Sequence, residues 1–448
     1  MNHRLICVAL LLAAFIAAPL RAQSLRPYVE QPDDSFSYTI EAREKFGPHD
    51  LLTVRMTSQT WQGKPWQHWV SILVPENVTA SDRAILLITG GSTRAQRPKH
   101  DRDDTRIFAN LTASLGAVFV VLEQVPNQPL YDNLKEDALI AYSFDKYLRG
   151  EGNDWPLLGP MVKSAVRAMD ATQAIVADER DVHINEFIVT GASKRGWTTY
   201  LTGALDDRVC AIAPMVIDML NLAEQMPHQW RSYGAYSRMI HDYVELNVIE
   251  RMNRPQGEML RAMVDPLYYR DAMTMPKLVL LGSNDPYWTA DAASLYFDQL
   301  PQPRWLYSLA NAGHGLGAGS IPTLHAFFEA NLTGKSLPAL DWERDDDGTL
   351  TVDWQADGKL TVDWQADGGA AQLWTATSDS RDFRESKWIS KPLDGRTAKV
   401  QPPDEGYIAY FIEVRFNRDG QGISALPFGL TTTTYVLPDV FEHELPER

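Results

Sequence analysis

Cysteine is nearly absent from this chain of 448 residues, which holds only Cys7 and Cys210. A disulfide framework is thereby excluded as the source of stability. Excess basic charge is lacking too, since 42 Lys and Arg face 58 Asp and Glu for a formal net charge of -16. No nucleic-acid partner is expected, nor docking on anionic lipid, because both need a basic face. One long apolar run occurs, Leu5 to Ala18, and it is shorter than the ~20 residues of a membrane span. With Arg4 before it and Pro19-Leu-Arg-Ala22 after it, residues 1–22 read as a secretory signal peptide. Cleavage near Ala22 would remove Cys7 together with Arg4 and Arg21 but no acid, taking the charge from -16 to -18. A secreted or periplasmic protein without a transmembrane span is expected. Metal-ligand spacing is also missing: His49, His68, His100, His183, His228, His241, His325 and His443 form no pattern with acids or cysteines. No metal and no other cofactor is expected.

What the chain does have is 44% apolar and 10% aromatic residues, enough for large cores, and a length that implies two domains. Its organising stretch is Glu186-Phe-Ile-Val-Thr190 followed by Gly191-Ala-Ser193-Lys-Arg-Gly196. A buried strand is driven into a tight turn and then into a helix, with Ser193 at the apex. Such an elbow holds a hydroxyl at the carboxyl edge of a parallel sheet and aims the free N–H groups of the helix at the same point. One departure from G-x-S-x-G stands out: Arg195 fills the second glycine position and the glycine follows at Gly196.

Two further strands end in the groups a serine needs. Pro276 to Gly282 runs into Asp285, and Arg304 to Ala310 runs into Gly313-His314-Gly315. The order Ser, Asp, His, each at a strand end, is that of α/β-hydrolases. Ser193 is expected to attack, His314 to carry the proton and Asp285 to orient the imidazole. Asp218 and Asp265 also follow apolar segments and stay open as alternatives for the acid.

The remaining segments fit the same fold. Short alternating runs between Phe36 and Pro75 predict antiparallel strands, and Ala84–Ile88 and Ala117–Leu122 predict buried ones. The loop after the first of these, Thr89-Gly-Gly91-Ser92, is expected to give one oxyanion N–H and Lys194 the other, so Gly91, Ser92 and Lys194 form the candidate oxyanion hole. Helices are predicted over 134–148, from Met161 with Val162, Val166, Met169 and Val176 on one face, over 291–300 and over 321–332. Residues 219–265, rich in Met, Trp, Tyr, Arg and His, read as a cap insertion over the site. Candidate substrate contacts are Arg195, Trp230, Tyr233, Tyr236 and Trp288. The hydrolase domain is expected over 23–335, and 334–338 as a linker.

Beyond it, Gln372–Ala376, Ala398–Gln401 and Tyr407–Phe416 are strand-like, which predicts a small all-β, Ig-like sandwich over 340–448. Its start carries a tandem decapeptide over 350–369, read as an insertion because pairing the copies would set apolar against polar residues. Asp345-Asp-Asp-Gly348 reads as a solvated turn. The partner of this domain is not legible in the sequence.

Several stretches resemble the PhoPQ-activated pathogenicity-related protein family: Gln124-Val-Pro-Asn-Gln-Pro-Leu130, Glu136-Asp-Ala-Leu-Ile-Ala-Tyr142, Met161 to Asp170, Gly191 to Thr199, and Gly282-Ser-Asn-Asp-Pro-Tyr-Trp288. The resemblance implies an α/β-hydrolase-like protein of the cell envelope. The expected function is a serine hydrolase acting on a small-molecule, peptide or sugar-ester substrate; the alternative is a catalytically silent binding or signalling protein on that scaffold. A cation directly after the serine also resembles glucuronoyl esterases, which implies acidic sugar esters.

Overall fold

Three successive strands, Ser37–Phe46 (β1), His49–Trp61 (β2) and Lys64–Val74 (β3), form an antiparallel meander, as their alternating patterns predict. The computed structural model describes residues 24–80, 82–98, 110–355, 371–418 and 420–446. The expected signal peptide and the second decapeptide copy lie outside them. Six apolar strands extend the sheet: Arg83–Ile88 (β4), Val118–Leu122 (β5), Glu186–Ala192 (β6), Val209–Met215 (β7), Lys277–Gly282 (β8) and Arg304–Leu309 (β9). The order is β1-β2-β3-β5-β4-β6-β7-β8-β9, parallel from β5 onward. Because β5 inserts between β3 and β4, the chain reverses direction across the sheet at β4 and β6. The crevice above the carboxyl ends of those two strands is where open α/β sheets hold their ligands.

Helices cover both faces. Glu136–Leu148 (α1), Leu158–Arg180 (α2) and Lys194–Leu205 (α3) pack on one, and Val162, Val166, Met169 and Val176 are all buried there as the periodicity predicts. The β7–β8 connection carries the cap, with helices Leu222–Tyr233 (α4), His241–Glu245 (α5), Val248–Arg251 (α6) and Pro255–Val264 (α7). Tyr243 donates to Asp137 at 3.1 Å and Arg251 to Asp145 at 2.6 Å, so the cap is pinned to α1. Ile321–Leu332 (α8) covers the other face. The helix predicted over 291–300 is instead two 3-10 turns, Ala292–Leu295 and Phe297–Gln299, interrupted at the buried Tyr296 with φ -145°.

The C-terminal region forms two antiparallel sheets. Ala339–Arg344 (β10), Thr349–Gln355 (β11) and Thr397–Lys399 (β14) make the first; Ala371–Ser378 (β12), Ile389–Pro392 (β13), Tyr407–Phe416 (β15), Phe428–Thr431 (β16) and Tyr435–Leu437 (β17) make the second. Asp345 to Gly348 is the β10–β11 hairpin turn. Strand β11, the start of the first decapeptide copy, pairs with β10 and β14. These sheets are not a detached module. Tyr410, Ile412 and Val414 belong to one apolar cluster with Trp305 and Tyr307 of the large sheet and Phe327 of α8. The expected linker is correspondingly fixed: Leu337 is buried and the Pro338 carbonyl accepts the Trp305 indole N–H at 2.8 Å. An apolar face on each side leaves nothing for a free hinge to separate.

Candidate active site

Ser193 sits between β6 and α3 with φ 58° and ψ -129°, a conformation L-residues avoid unless their surroundings enforce it. Its N–H donates to Met215 O at 2.8 Å and its carbonyl accepts from Trp197 N at 2.9 Å, which locks strand, turn and helix together. The displaced glycine has a clear reason. A Cβ on Gly196 would lie 2.8 Å from Met215 O and 2.8 Å from Ile217 Cγ2, so α3 can cross β7 only with glycine there. Val216 (φ 45°) and Glu136 (φ 52°) are further non-glycine residues in left-handed backbone around the same site.

The acid and the imidazole arrive on the β8 and β9 loops. Gly282 lets these loops touch, since a Cβ there would meet Ala312 O at 2.5 Å. Asp285 is buried, and its Oδ2 lies 2.8 Å from His314 Nδ1. Its Oδ1 accepts the Tyr287 backbone N–H at 3.0 Å, and the Tyr287 ring stacks on His314 with 4.3 Å between centroids. The other two candidate acids do not reach the imidazole. Asp265 caps the cap helices by accepting from Asn221, Leu222 and Leu267 N–H, and burial raises it to about 6. Asp218 lies against Tyr200 and Tyr296, and burial first, with Asp285 and Asp291 nearby, pushes it up to about 8.

Ser193 and His314 line one cavity under the cap, with about 660 Å³ of empty space including its mouth. Among the described residues the Ser193 hydroxyl has no hydrogen-bond partner, a common arrangement in unliganded sites. Next to it lies a connected charge cluster. Lys194 Nζ is 3.0 Å from Glu136 Oε2 and 3.2 Å from Asp137 Oδ2; Asp137 also accepts the Tyr243 and Tyr287 hydroxyls at 3.1 and 3.4 Å. Burial and the Asp137 carboxylate raise both phenols, so they remain donors. For Glu136, burial pushes upward, yet Arg195 and Lys194 outweigh it and hold the carboxyl at about 2.

Several expected contacts fall elsewhere. Arg195 does not face the cavity: its guanidinium lies over Gly90, takes both Glu136 oxygens at 2.7 Å and donates to Val125 O at 2.5 Å. The second elbow glycine is thus replaced by a clamp that ties the elbow to α1 and to the β5 loop. Gly91 and Ser92 do not border the cavity either. Their carbonyls accept from Gln128 and Gln124, which tether the loop against the β5 connection. Lys194 does line it, and its backbone N–H lies in the first turn of α3, where no intrahelical carbonyl is available. Trp288 lines it as well, and Tyr233 supports it by donating to Trp288 O at 2.9 Å. Trp230 and Tyr236 meet edge to face, with 5.1 Å between centroids, along a separate groove, where the Trp230 indole donates to Glu444 O. Their aromatic stripe is packing for the C-terminal tail.

Sequence reasoning missed Asp137, Tyr243 and Tyr287 as site residues. Asp137 falls within the helix predicted over 134–148, and only the fold brings it against Lys194. Also unforeseen is the support from the C-terminal sheets. Asn284, beside Asp285, donates to the carbonyls of Phe383, Arg384 and Ser386, and Asn311, before His314, brackets the Trp388 backbone at 2.9 and 3.0 Å. No group of three His, Cys, Asp or Glu among the described residues could hold a metal ion, and none of their helices is long and apolar enough to cross a membrane.

The strand order, the serine at the β6 elbow and the acid–imidazole pair beside it define an α/β-hydrolase core. The PhoPQ-activated pathogenicity-related protein pattern matches residues 25–384, and the chain belongs to that family. It is 30% identical, over 91% of its own length and 88% of the other's, to autocrine proliferation repressor protein A of Dictyostelium discoideum. Among solved structures it is similar to an acetyl xylan esterase of Paenibacillus sp. R4, at 12% identity and TM-score 0.49, over 68% of this chain and 92% of that one. It is also similar to a glucuronoyl esterase of Solibacter usitatus, at 12% identity and TM-score 0.40, over 67% and 87%.

Proposed function

We propose that the protein is a serine hydrolase of the esterase type, with Ser193 as nucleophile, His314 as general base and acid, and Asp285 as the carboxylate that orients the imidazole. The carrying observation is the 2.8 Å contact between Asp285 Oδ2 and His314 Nδ1, with His314 and Ser193 on one cavity. That contact directs Nδ1–H to the carboxylate and leaves Nε2 free to accept a proton. Ser193 Oγ attacks the carbonyl carbon as its proton passes to His314 Nε2. The bond to the leaving oxygen then breaks, and that oxygen takes the proton from His314. Water attacks the acyl-serine, giving its proton to His314, which returns it to Ser193 Oγ as the carboxylic acid departs. The Lys194 backbone N–H, beside the serine at the positive end of α3, supports the oxyanion.

A fluorophosphonate probe is expected to label the mature protein and not Ser193→Ala. Equal labelling of both, or of neither, counts against the reading. Export past the inner membrane is part of the proposal, and N-terminal sequencing of secreted protein is expected to start near residue 23.

A second reading, a signalling protein that uses the scaffold without chemistry, is favoured by one observation: the relative named as a proliferation repressor is similar over nearly the whole chain. On that reading Ser193→Ala leaves the cellular phenotype of a deletion strain fully complemented. Failure to complement, with the variant folded and exported, rejects it.

A further inference from the structure

Resting on the serine-hydrolase reading, we propose that the substrate is an uncharged ester whose bulkier side is an alkyl or aryl group held under the cap, with Ile249 and Met252 setting its size. The cavity wall divides into two parts. Its polar side chains, Asp137, Lys194, Tyr243, Tyr287 and His314, are joined by direct contacts next to Ser193. Much of the remainder comes from the cap and α1: Phe144, Leu222, Met226, Val248, Ile249 and Met252.

Charge in the substrate finds no counter-ion here. Lys194 is the cation of the lining, and its Nζ already serves Glu136 at 3.0 Å and Asp137 at 3.2 Å. An acidic sugar would have to break that pairing. Asp137 in turn accepts from Lys194, Tyr243 and Tyr287, so a substrate ammonium would compete with three donors already in place. An unpaired charge in an apolar wall carries a large desolvation penalty.

Neutral but polar substrates fare no better. Among the described residues the lining contains no Asn, Gln or Thr, and Ser193 is its serine. Sugar hydroxyls or peptide amides pressed against the cap would lose water and find, beyond the already paired cluster, the Trp288 indole N–H as the single unpartnered side-chain donor of these lining residues apart from Ser193. An apolar group has the opposite balance, since each methylene moved from water to this wall adds affinity. Three methionines, Met219, Met226 and Met252, line the space and can adapt to different shapes, which predicts a broad optimum.

Two ester series test this on the mature protein: p-nitrophenyl esters from acetate to octanoate, and acetates of alcohols from methyl to benzyl and octyl. Each added methylene is expected to raise kcat/KM about fourfold until the cavity is full, along at least one series. Ile249→Trp is expected to lower the octanoate-to-acetate ratio about tenfold, and Met252→Ala to move the optimum to a longer chain. Binding is read separately by titrating Ser193→Ala with p-nitrophenyl octanoate and following tryptophan fluorescence, where saturation is expected. Flat profiles in both series, or preference for a methyl glucuronate or a peptide anilide, overturn the inference if Ser193 still reacts with fluorophosphonate. Saturable octanoate binding without that reaction supports the apolar site and removes the chemistry. Absence of both overturns both.

Discussion

Three carboxylates compete for one imidazole in this fold, and each is sorted by what surrounds it. Asp285 touches His314 Nδ1, Asp265 is consumed by three backbone N–H groups, and Asp218 is sealed among phenols. Asp285→Asn is therefore expected to lower kcat by about three to four orders of magnitude, because the amide favours the wrong tautomer. Asp218→Asn should lower it less than about tenfold, in keeping with a residue that does not touch the imidazole. Equal losses in steady-state assays would show that the assignment of the acid is wrong.

Asp218 makes a second forecast, on stability. Its folded-state value, about 8, lies above the ordinary 3.8, so the folded protein binds more protons than the unfolded chain between those values. Stability contributed by the neutral acid is complete below the lower value and is lost as pH rises through the higher one. Thermal unfolding of wild type and Asp218→Asn should show the variant gaining on wild type from pH 4 to pH 8. Parallel curves would mean that Asp218 ionises freely in the folded protein.

At the scale of elements, the elbow is held by a clamp in place of the usual second glycine. Arg195, with only 11% of its side chain exposed, joins α3 to α1 through both oxygens of Glu136 and to the β5 loop through Val125 O. Lysine cannot reproduce a planar three-bond contact, so Arg195→Lys is expected to destabilise by about 2–3 kcal/mol in denaturant unfolding. The same change should lower kcat, since the serine turn loses a tether. An unaltered unfolding midpoint would mean that the clamp contributes no stability.

For the molecule as a whole, the C-terminal sheets support the site as well as the core. Asn284 adjoins the acid and holds three carbonyls of the segment from Phe383 to Ser386, while Asn311 holds Trp388 just ahead of the imidazole. Asn284→Ala is expected to lower kcat about tenfold with little change in KM, because orientation rather than substrate contact is lost. A change confined to melting temperature would reduce Asn284 to a structural role. Truncation after residue 335 should leave an insoluble chain, because Trp305, Tyr307 and Phe327 would be bared. A soluble, cooperatively folding fragment would contradict the shared core.

Sequence alone determined the elements that depend on local pattern. Runs such as Phe187–Thr190 and Val118–Leu122 are apolar enough to be central strands, and Gly191 and Gly196 permit the turn that carries Ser193. The order of Ser193, Asp285 and His314 at strand ends was legible for the same reason. Tertiary structure alone decided which of three acids meets His314, that Arg195 points away from the cavity, that Trp230 and Tyr236 serve the tail, and that Leu337 and Pro338 of the expected linker are held against the core. Periodicity encodes which face of an element is apolar. It does not encode which distant side chain will fill a given hydrogen bond, because that partner is chosen only when sheet, cap and C-terminal sheets close on one another.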